Sequence, residues 1–412
     1  MAEQRLLLLM STRTYRAAAF LEAAETLGMA VTVASDKPHV FADVQPEAHL
    51  QVDFNEPESA TERIVEFSQQ YPLAAVVSAE DEGAQILAMA SMALGLPSSS
   101  LTAVSAARNK FAMRTILHEA GIRSPKYQRM QLTDDPHKLA RQVDYPCVLK
   151  PLFLSGSRGV MRANNMGEFV GAFARIKAIL SRPKVKAEGR GLADYVLVED
   201  YIPGNEVAIE GIVMAGEMNL IAMFDKPDPL DGPYFEETIY VTPSRHPEVA
   251  QEALWHTARK AVKILEITHG PVHIEARYNE QGAWIVEIAP RSIGGYCSKV
   301  ITLDAGLTLE EAILWQAVGQ DVFSLEREAL AAGVMMIPIP DEGILEAISG
   351  VAEAQKVTYI DEIVVSMHKG QQVTPLPEGG QYLGFIFARA ESPETVEKAL
   401  RTAYSKINLT VR

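Results

Sequence analysis

The sequence predicts a multidomain α/β and α+β protein with three blocks: an N-terminal doubly wound α/β block over residues 1–105, a central block over 106–310 built on antiparallel sheets, and a C-terminal α+β block over 311–412. Three observations predict this. The chain has 412 residues, and at ~150 residues per domain it makes two or three units, each large enough to bury its own core. Helix-period and strand-period segments alternate up to about residue 105 and then give way to strand-rich sequence. Composition is that of an ordinary globular chain, 48% apolar and 22% charged with 27 Gly and 23 Pro, which excludes collagen-like, low-complexity and disordered readings.

In order along the chain, the apolar run Leu6 to Met10 reads as a buried strand. A helical pattern from Tyr15 to Leu27 follows, stopped by Gly28, and then the β-branched Val31-Thr32-Val33 completes a βαβ unit. The rhythm continues with a helix from Ala60 to Gln70, a strand from Leu73 to Val77 and a helix from Asp81 to Leu94, ended by Gly95 and Pro97. The central block opens with a helix from Asn109 to Ala120. Its strands are Cys147–Lys150, Val196–Val198, Val207–Val213, Leu220–Phe224, Val272–Tyr278 and Trp284–Ile288. The charged, Gly-containing stretch Ser181 to Gly191 reads as an exposed loop. A helix from Leu309 to Val318 leads into the end of the chain, where from about Leu325 strands at Val334–Ile337, Ile363–Ser366 and Tyr382–Ala388 and a final helix from Pro393 to Lys406 make a small α+β domain.

Charge and cysteine usage narrow the function. The chain carries 38 Lys and Arg against 53 Asp and Glu, net −15, so no bulk attraction for nucleic acid or an anionic membrane is present and small-molecule substrates are expected. Cys147 and Cys297 are the only cysteines, too few for a disulfide framework or a Cys-based zinc site; two reduced thiols predict a cytoplasmic protein. The early apolar run is far shorter than the ~20 residues that span a bilayer. A dinucleotide fold would place GxGxxG after the first strand, where the chain instead has Ser11-Thr12-Arg13-Thr14-Tyr15, so no close backbone approach to a pyrophosphate is provided there. Asp36, at the end of the second strand, reads as a solvated turn carboxylate.

One pair of strands carries chemistry. The run from Val272 to Tyr278, the Gly-containing turn at 279–283 and the run from Trp284 to Ala289 predict a hairpin. A loop centred on Gln281 sets Glu275 directly opposite Glu287. Opposed like charges destabilise an antiparallel pair unless something positive bridges them. A divalent cation does so, and Mg²⁺ takes one or two carboxylates together with phosphate oxygens. Period-two alternation adds His273 and Arg277 on the face of Glu275, and Ala289 and Arg291 on that of Glu287. The alternative is a solvated edge with Glu275 paired to Arg277 or Arg291.

Two further features suit a nucleotide. The strand ending in Lys150 is followed by Ser155-Gly156-Ser157-Arg158-Gly159-Val160, where backbone N–H groups can wrap phosphate oxygens and the lysine adds a point charge. It lacks the Gly-Lys-Ser/Thr order of a Walker A motif, and a plain surface loop fits the same residues. Downstream, Val198-Glu199-Asp200-Tyr201-Ile202-Pro203-Gly204-Asn205-Glu206 is a Pro-Gly hinge that offers backbone groups to an adenine edge and a carboxylate to ribose.

In sequence order Lys110, Lys150, the 155–160 loop, Glu199 to Glu206, Glu275, and Glu287 through Arg291 to Gly294-Gly295 resemble the ATP-grasp ligases, over about residues 105–300. The flanking blocks match that family's preceding α/β domain and trailing lid domain. Within it the chain resembles the L-amino-acid ligases and related carboxylate-amine ligases. The resemblance implies ATP and Mg²⁺, with Mn²⁺ as a substitute, small carboxylate and amine substrates, and a homodimer as a family-level expectation. It implies ATP contacts for Lys110, Lys150, Ser155, Gly156, Ser157, Gly159, Glu199, Asp200, Ile202 and Glu206, with Lys226 a weaker phosphate contact. Glu275 and Glu287 would be metal ligands. Arg291 would hold the acyl phosphate, with backbone amides up to Gly294 and Gly295 binding anionic oxygen. The family commonly reads Glu-x-Asn-x-Arg where this chain has Ala289, which bears on a second Mg²⁺.

The expected activity is therefore an ADP-forming C–N ligase working through an acyl phosphate. A bicarbonate-using enzyme of the same fold, akin to biotin carboxylase or carbamoyl-phosphate synthases, and a non-catalytic ATP-binding regulator are the alternatives. No general base is evident; His273 qualifies only by its face and reads better as a satisfied structural histidine. The Pro- and aromatic-rich stretch 224–238 is expected to border the substrate.

Overall fold

The computed structural model describes residues 4–412 except 13, 40, 41 and 43, so Arg13 of the Ser11–Tyr15 stretch lies outside the described residues. The N-terminal strands β1 (Arg5–Leu9), β2 (Ala30–Ser35), β3 (His49–Gln51) and β4 (Ala75–Ser78) form a parallel sheet in the order β3-β2-β1-β4. Helices Ala17–Thr26, Pro57–Gln70 and Ala84–Leu94 connect and cover it. The doubly wound block is thus as the alternation predicts; β3 escaped the pattern because His-Leu-Gln has neither length nor a β-branched run.

A second four-stranded sheet, in the order β5-β8-β6-β7, is built from β5 (Tyr127–Gln131), β6 (Cys147–Pro151), β7 (Met161–Ala163) and β8 (Tyr195–Asp200), all antiparallel. Helix Met166–Leu180 packs Phe169, Phe173 and Ile176 beneath it, against Leu149 and Val196. The stretch 181–191 corrects the sequence reading: it is not a loop but a helix, Pro183–Gly189, leading into a 3₁₀ turn. Pro183 sits in the first turn, where a missing N–H costs nothing. Val185 is buried, and Gly189 lies so close to the Phe153 ring that a Cβ would come within 2.2 Å.

The largest sheet has eight strands. Its central-block members are β9 (Asn205–Met214), β10 (Glu217–Asp225), β11 (Ile239–Thr242), β12 (Gly270–Asn279) and β13 (Gly282–Ala289). The C-terminal block adds β14 (Ala331–Ile337), β15 (Gly343–Ser349), β16 (Ile360–Val365), β17 (Gln372–Val373), β18 (Gly384–Ala390) and β19 (Asn408–Val411). The order β13-β12-β9-β10-β11-β14-β18-β16 runs antiparallel across both blocks, while β17-β15-β19 forms a small side sheet. Helix Glu248–Ile264 covers β12 and β13 through Leu254 and Ala258, and helix Pro393–Tyr404 covers β14 and β18 through Val396 and Leu400. One core joins Leu6 and Leu8 of β1 to Ala208, Ile313, Val334 and Phe385. The N-terminal sheet is therefore packed against the large sheet rather than tethered beside it. Among the described residues no helix is long and apolar enough to cross a membrane.

Candidate active site

A cavity of about 380 Å³ opens where the three largest sheets meet. The N-terminal sheet reaches it at its carboxyl edge: Ser11, Thr14 and Tyr15 follow β1, and Glu80, Asp81 and Glu82 follow β4. These strands are neighbours whose connections depart in opposite directions, with β2 and β3 on one side of β1 and β4 on the other. Open parallel sheets bind ligands in that crevice. The rule was available from the strand rhythm alone.

The hairpin pairs Glu275 with Glu287, as the sequence analysis expects, though by a different route. The turn pairs Asn279 with Gly282, half a residue off a loop centred on Gln281, and a bulge at Val286 restores the offset before the two glutamates are reached. The bulge turns the Val286 carbonyl toward the buried Arg114, which donates to it. Both carboxylates reach the cavity, their side chains 19% and 27% exposed. Glu287 Oε1 is 2.9 Å from Lys110 Nζ, which also donates to the Leu154 carbonyl at 2.8 Å. Glu275 Oε1 lies 3.4 Å from Lys226 Nζ and 3.5 Å from His273 Nε2. Burial alone would raise the Glu275 carboxyl, but these two cations overcome it and hold it well below the usual carboxylate range. Two facing carboxylates open to a cavity, one held firmly ionised, are a donor set that fits a hard divalent cation. Ala289 supplies no donor; it pairs with His273 across the hairpin.

Lys226 does not line the cavity. It lies behind the carboxylates, donating to Glu206 Oε1 at 2.9 Å and to Glu237. Glu206, Glu237 and Glu275 place carboxylate oxygens within 4.8 Å of one another around this ammonium. Burial pushes the Glu237 carboxyl up to about 7, against the pull of Lys226. Glu206 also accepts from Arg277 Nε at 2.8 Å, so both its oxygens are engaged by protein cations.

Lys150 and Glu199 pair on adjacent strands β6 and β8, Nζ to Oε2 at 2.5 Å, and Arg114 Nε donates to the other Glu199 oxygen at 2.6 Å. The Glu199 side chain is thus a buried support, and its segment faces the cavity with Asp200 and Ile202. Arg277 donates to the Ile202 carbonyl at 2.7 Å and to that of Leu230, bracing the hinge. Gly204 sits at φ +119 with no room for a Cβ, which would lie 2.3 Å from the Tyr278 carbonyl. In the 155–160 loop Ser155, Gly156 and Ser157 line the cavity, whereas Gly159 does not. Gly159 anchors the loop: its N–H donates to the Pro377 carbonyl at 2.8 Å, and at φ +77 a Cβ would strike Pro151.

Arg291 lines the cavity with Gly294 and Gly295. Its Nε donates to Asp81 Oδ2 at 2.9 Å and its Nη1 to the Ser292 carbonyl at 2.9 Å. Burial would raise the Asp81 carboxyl, but Arg291 and Arg108 hold it below its ordinary value. The loop is fixed from beneath. His273 Nδ1 donates to Glu210, whose other oxygen accepts from the Ile293 N–H at 2.9 Å. Burial opposes charging of His273, yet Glu210 and Glu275 raise it to about 9. With Nδ1 on Glu210 and Nε2 3.5 Å from Glu275, the ring is placed to support the loop.

Several lining residues were missed from sequence. Asp81 opened a predicted helix with Glu80 just before it, and Tyr382 and Phe385 sat in a predicted strand; their positions at or near strand ends were the only signal. Glu237 lay inside the expected 224–238 border, which the structure brings to the cavity through Leu230, Phe235 and Glu237. Arg16 carried no signal. It is fully buried, donating to Ser292 Oγ, to the Ile293 carbonyl at 3.2 Å and to Glu310 Oε1 at 2.5 Å.

Comparison with known proteins agrees with this geometry. Residues 143–300 match the ATP-grasp domain family, 21–98 the ATP-grasp N-terminal domain, and 335–412 the L-amino acid ligase C-terminal domain 2. An uncharacterized protein y4rH of Sinorhizobium fredii is 22% identical over 98% of this chain and 83% of its own length. An alanine–anticapsin ligase of Bacillus amyloliquefaciens is 28% identical over 59% of this chain; the match spans about half of that ligase, 53%. An L-amino acid ligase structure from Bacillus licheniformis superposes with a TM-score of 0.79 at 23% identity, covering 100% of this chain and 99% of that one. With three family matches in the expected order along one chain, this protein belongs to the ATP-grasp superfamily and is closely related to its L-amino-acid ligase branch.

Proposed function

We propose that this chain is an ADP-forming carboxylate-amine ligase that joins amino acids, or an amino acid and another small carboxylate, through an acyl phosphate. The observation that carries the reading is the convergence on one cavity of Lys110, Lys150, the 155–157 loop, the Glu275–Glu287 pair and Arg291 with its amide loop. The alanine–anticapsin ligase and the L-amino acid ligase among its relatives support it. Lys110 and Lys150 offset charge on the transferring phosphoryl group while the glycine loop wraps it. A divalent cation held by Glu275 and Glu287 would neutralise phosphate charge and fix the γ-phosphate in line.

A substrate carboxylate oxygen attacks the γ-phosphorus, the Pγ–O bond to ADP breaks, and ADP leaves. The amine lone pair then attacks the acyl carbon, the C–O bond to phosphate breaks, and phosphate leaves as the nitrogen loses a proton. Arg291 and the amides of Gly294 and Gly295 face the tetrahedral oxyanion and phosphate, and the Glu210–His273 support, which takes up the Ile293 N–H, keeps the loop aimed without rearrangement. Retention of Arg291 beside the carboxylate pair favours catalysis over a nucleotide-binding regulator, which has less need of it.

Hydroxylamine in place of the amine tests the reading. ATP, Mg²⁺ and a carboxylate substrate should give a hydroxamate with one ADP per product. Hydroxamate formation with bicarbonate alone as the carboxylate, or none with any carboxylate while ATP still binds, would contradict it.

A further inference from the structure

The cavity has two apolar walls, and only one suits a nucleotide base. Val148, Ile202, Leu230 and Val286 lie by the hinge. The second wall is aromatic and comes from other parts of the fold: Tyr15 after β1, Tyr382 and Phe385 at the start of β18, and Met336 of β14. Its rings pack edge to face. Phe385 lies 6.1 Å from Tyr15 at 68° and 6.1 Å from Tyr382 at 63°, and Tyr296 closes the back at 5.2 Å from Phe385 and 86°. This wall abuts the loop assigned to the acyl phosphate. A Cβ on Gly295 would come within 3.1 Å of the Phe385 ring, and Gly295 lies in the same short loop as Arg291. The polar rim above it is the Arg291–Asp81 pair, with Glu80 accepting from Thr14 Oγ1 at 2.6 Å.

Charged groups at the rim and rings at the wall describe an amphipathic ligand. We propose that one of the two substrates is an amino acid with an aromatic or large unbranched apolar side chain, seated against Tyr15, Tyr382, Phe385 and Met336 with its polar end at Arg291. This rests on the ligase reading and deepens it by naming a side-chain class. Edge-to-face rings receive another ring without disturbing their own packing, and the thioether of Met336 adapts to differing shapes. A small or charged side chain would leave the wall wet and gain nothing from it.

The test uses the full chain and compares kcat/KM for ATP-dependent phosphate release across single amino acids. Each added methylene in a fitting apolar pocket is worth about ten-fold or more, so Phe and Met should exceed Ala, Ser and Asp by at least about ten-fold. Tyr15→Ala, at the half-exposed lip, should lower kcat/KM for Phe while leaving the KM for ATP unchanged, with thermal unfolding to confirm folding. The substrate series needs no variant. Preference for small or charged amino acids, in an enzyme that does release phosphate, overturns the side-chain class and leaves the ligase reading intact. No release with any amino acid, alone or paired with a second amino acid or another small carboxylate, overturns both.

Discussion

At the scale of single residues, two buried ion networks hold the site and behave differently. Arg16 and Glu310 are each almost wholly buried, and Ser298 Oγ donates to the same Glu310 oxygen at 2.7 Å. Removing one member strands a charge in the interior, which costs about 3–5 kcal/mol. Arg16→Met should therefore lower stability by that order in urea unfolding, and adding Glu310→Gln should recover part of it; an additive double variant would show that the two do not interact. Glu199 gives a pH dependence. Burial alone would raise its carboxyl, but Arg114 and Lys150 hold it below its ordinary 4.5. A value lower in the folded than in the unfolded chain contributes stability above about pH 4.5, lost as pH falls through the folded value. Unfolding followed down to about pH 3 should show a flatter acid limb for Glu199→Gln than for the wild type. None of this was legible in sequence, because Arg16 finds Ser292 across 276 residues and Arg114 finds Glu199 across 85. Spacing carries information only within an element or a hairpin.

At the scale of elements, the hinge and the glutamate hairpin shape the cavity. Gly204→Ala forces a left-handed alanine against the Tyr278 carbonyl, beside the segment from Glu199 to Ile202. The expected result is a KM for ATP raised about ten-fold with kcat little changed, since the change removes binding equally from ground and transition states; an unchanged KM would place the adenine elsewhere. The hairpin was the most legible part of the site, because period-two alternation and a turn suffice to bring Glu275 to Glu287. The bulge at Val286 was invisible, and only its compensation of the turn offset kept the register right. The stretch 181–191 misled for a physical reason: charge and glycine mark solvent exposure on one face and cannot reveal that Val185 is buried and Gly189 lies against Phe153. Lys226 likewise read as a phosphate contact, whereas the structure puts three glutamates around it.

At the scale of the whole molecule, a contact between blocks lies next to the anchor of the 155–160 loop, where Gly159 donates to the Pro377 carbonyl. Arg175, on the helix beneath the small antiparallel sheet, makes a two-pronged pair with Glu378 at 2.5 and 2.7 Å, and Arg182 donates to the Glu378 carbonyl at 3.4 Å. The Arg175 side chain is 41% exposed, so the pair contributes no more than about 1 kcal/mol. Glu378→Gln should raise amide exchange in residues 155–159 of the nucleotide-free protein while leaving the global unfolding midpoint within experimental error; no change in exchange would mean that Gly159 and Pro377 hold the loop unaided. The order of blocks was legible from rhythm and composition. That the large sheet runs unbroken from β13 to β16, and that β1 packs into the same core as β14, was not, because sheet order depends on which faces are left to cover after each hairpin has formed. If the cavity activates a carboxylate for amide formation, phosphate release from ATP and Mg²⁺ across pools of amino acids, with Glu287→Ala as the control, depends on both the amino acid and the glutamate. Release that requires particular amino acids and falls at least about a hundred-fold in the variant is expected; release that ignores the amino acids, or survives Glu287→Ala, would contradict it.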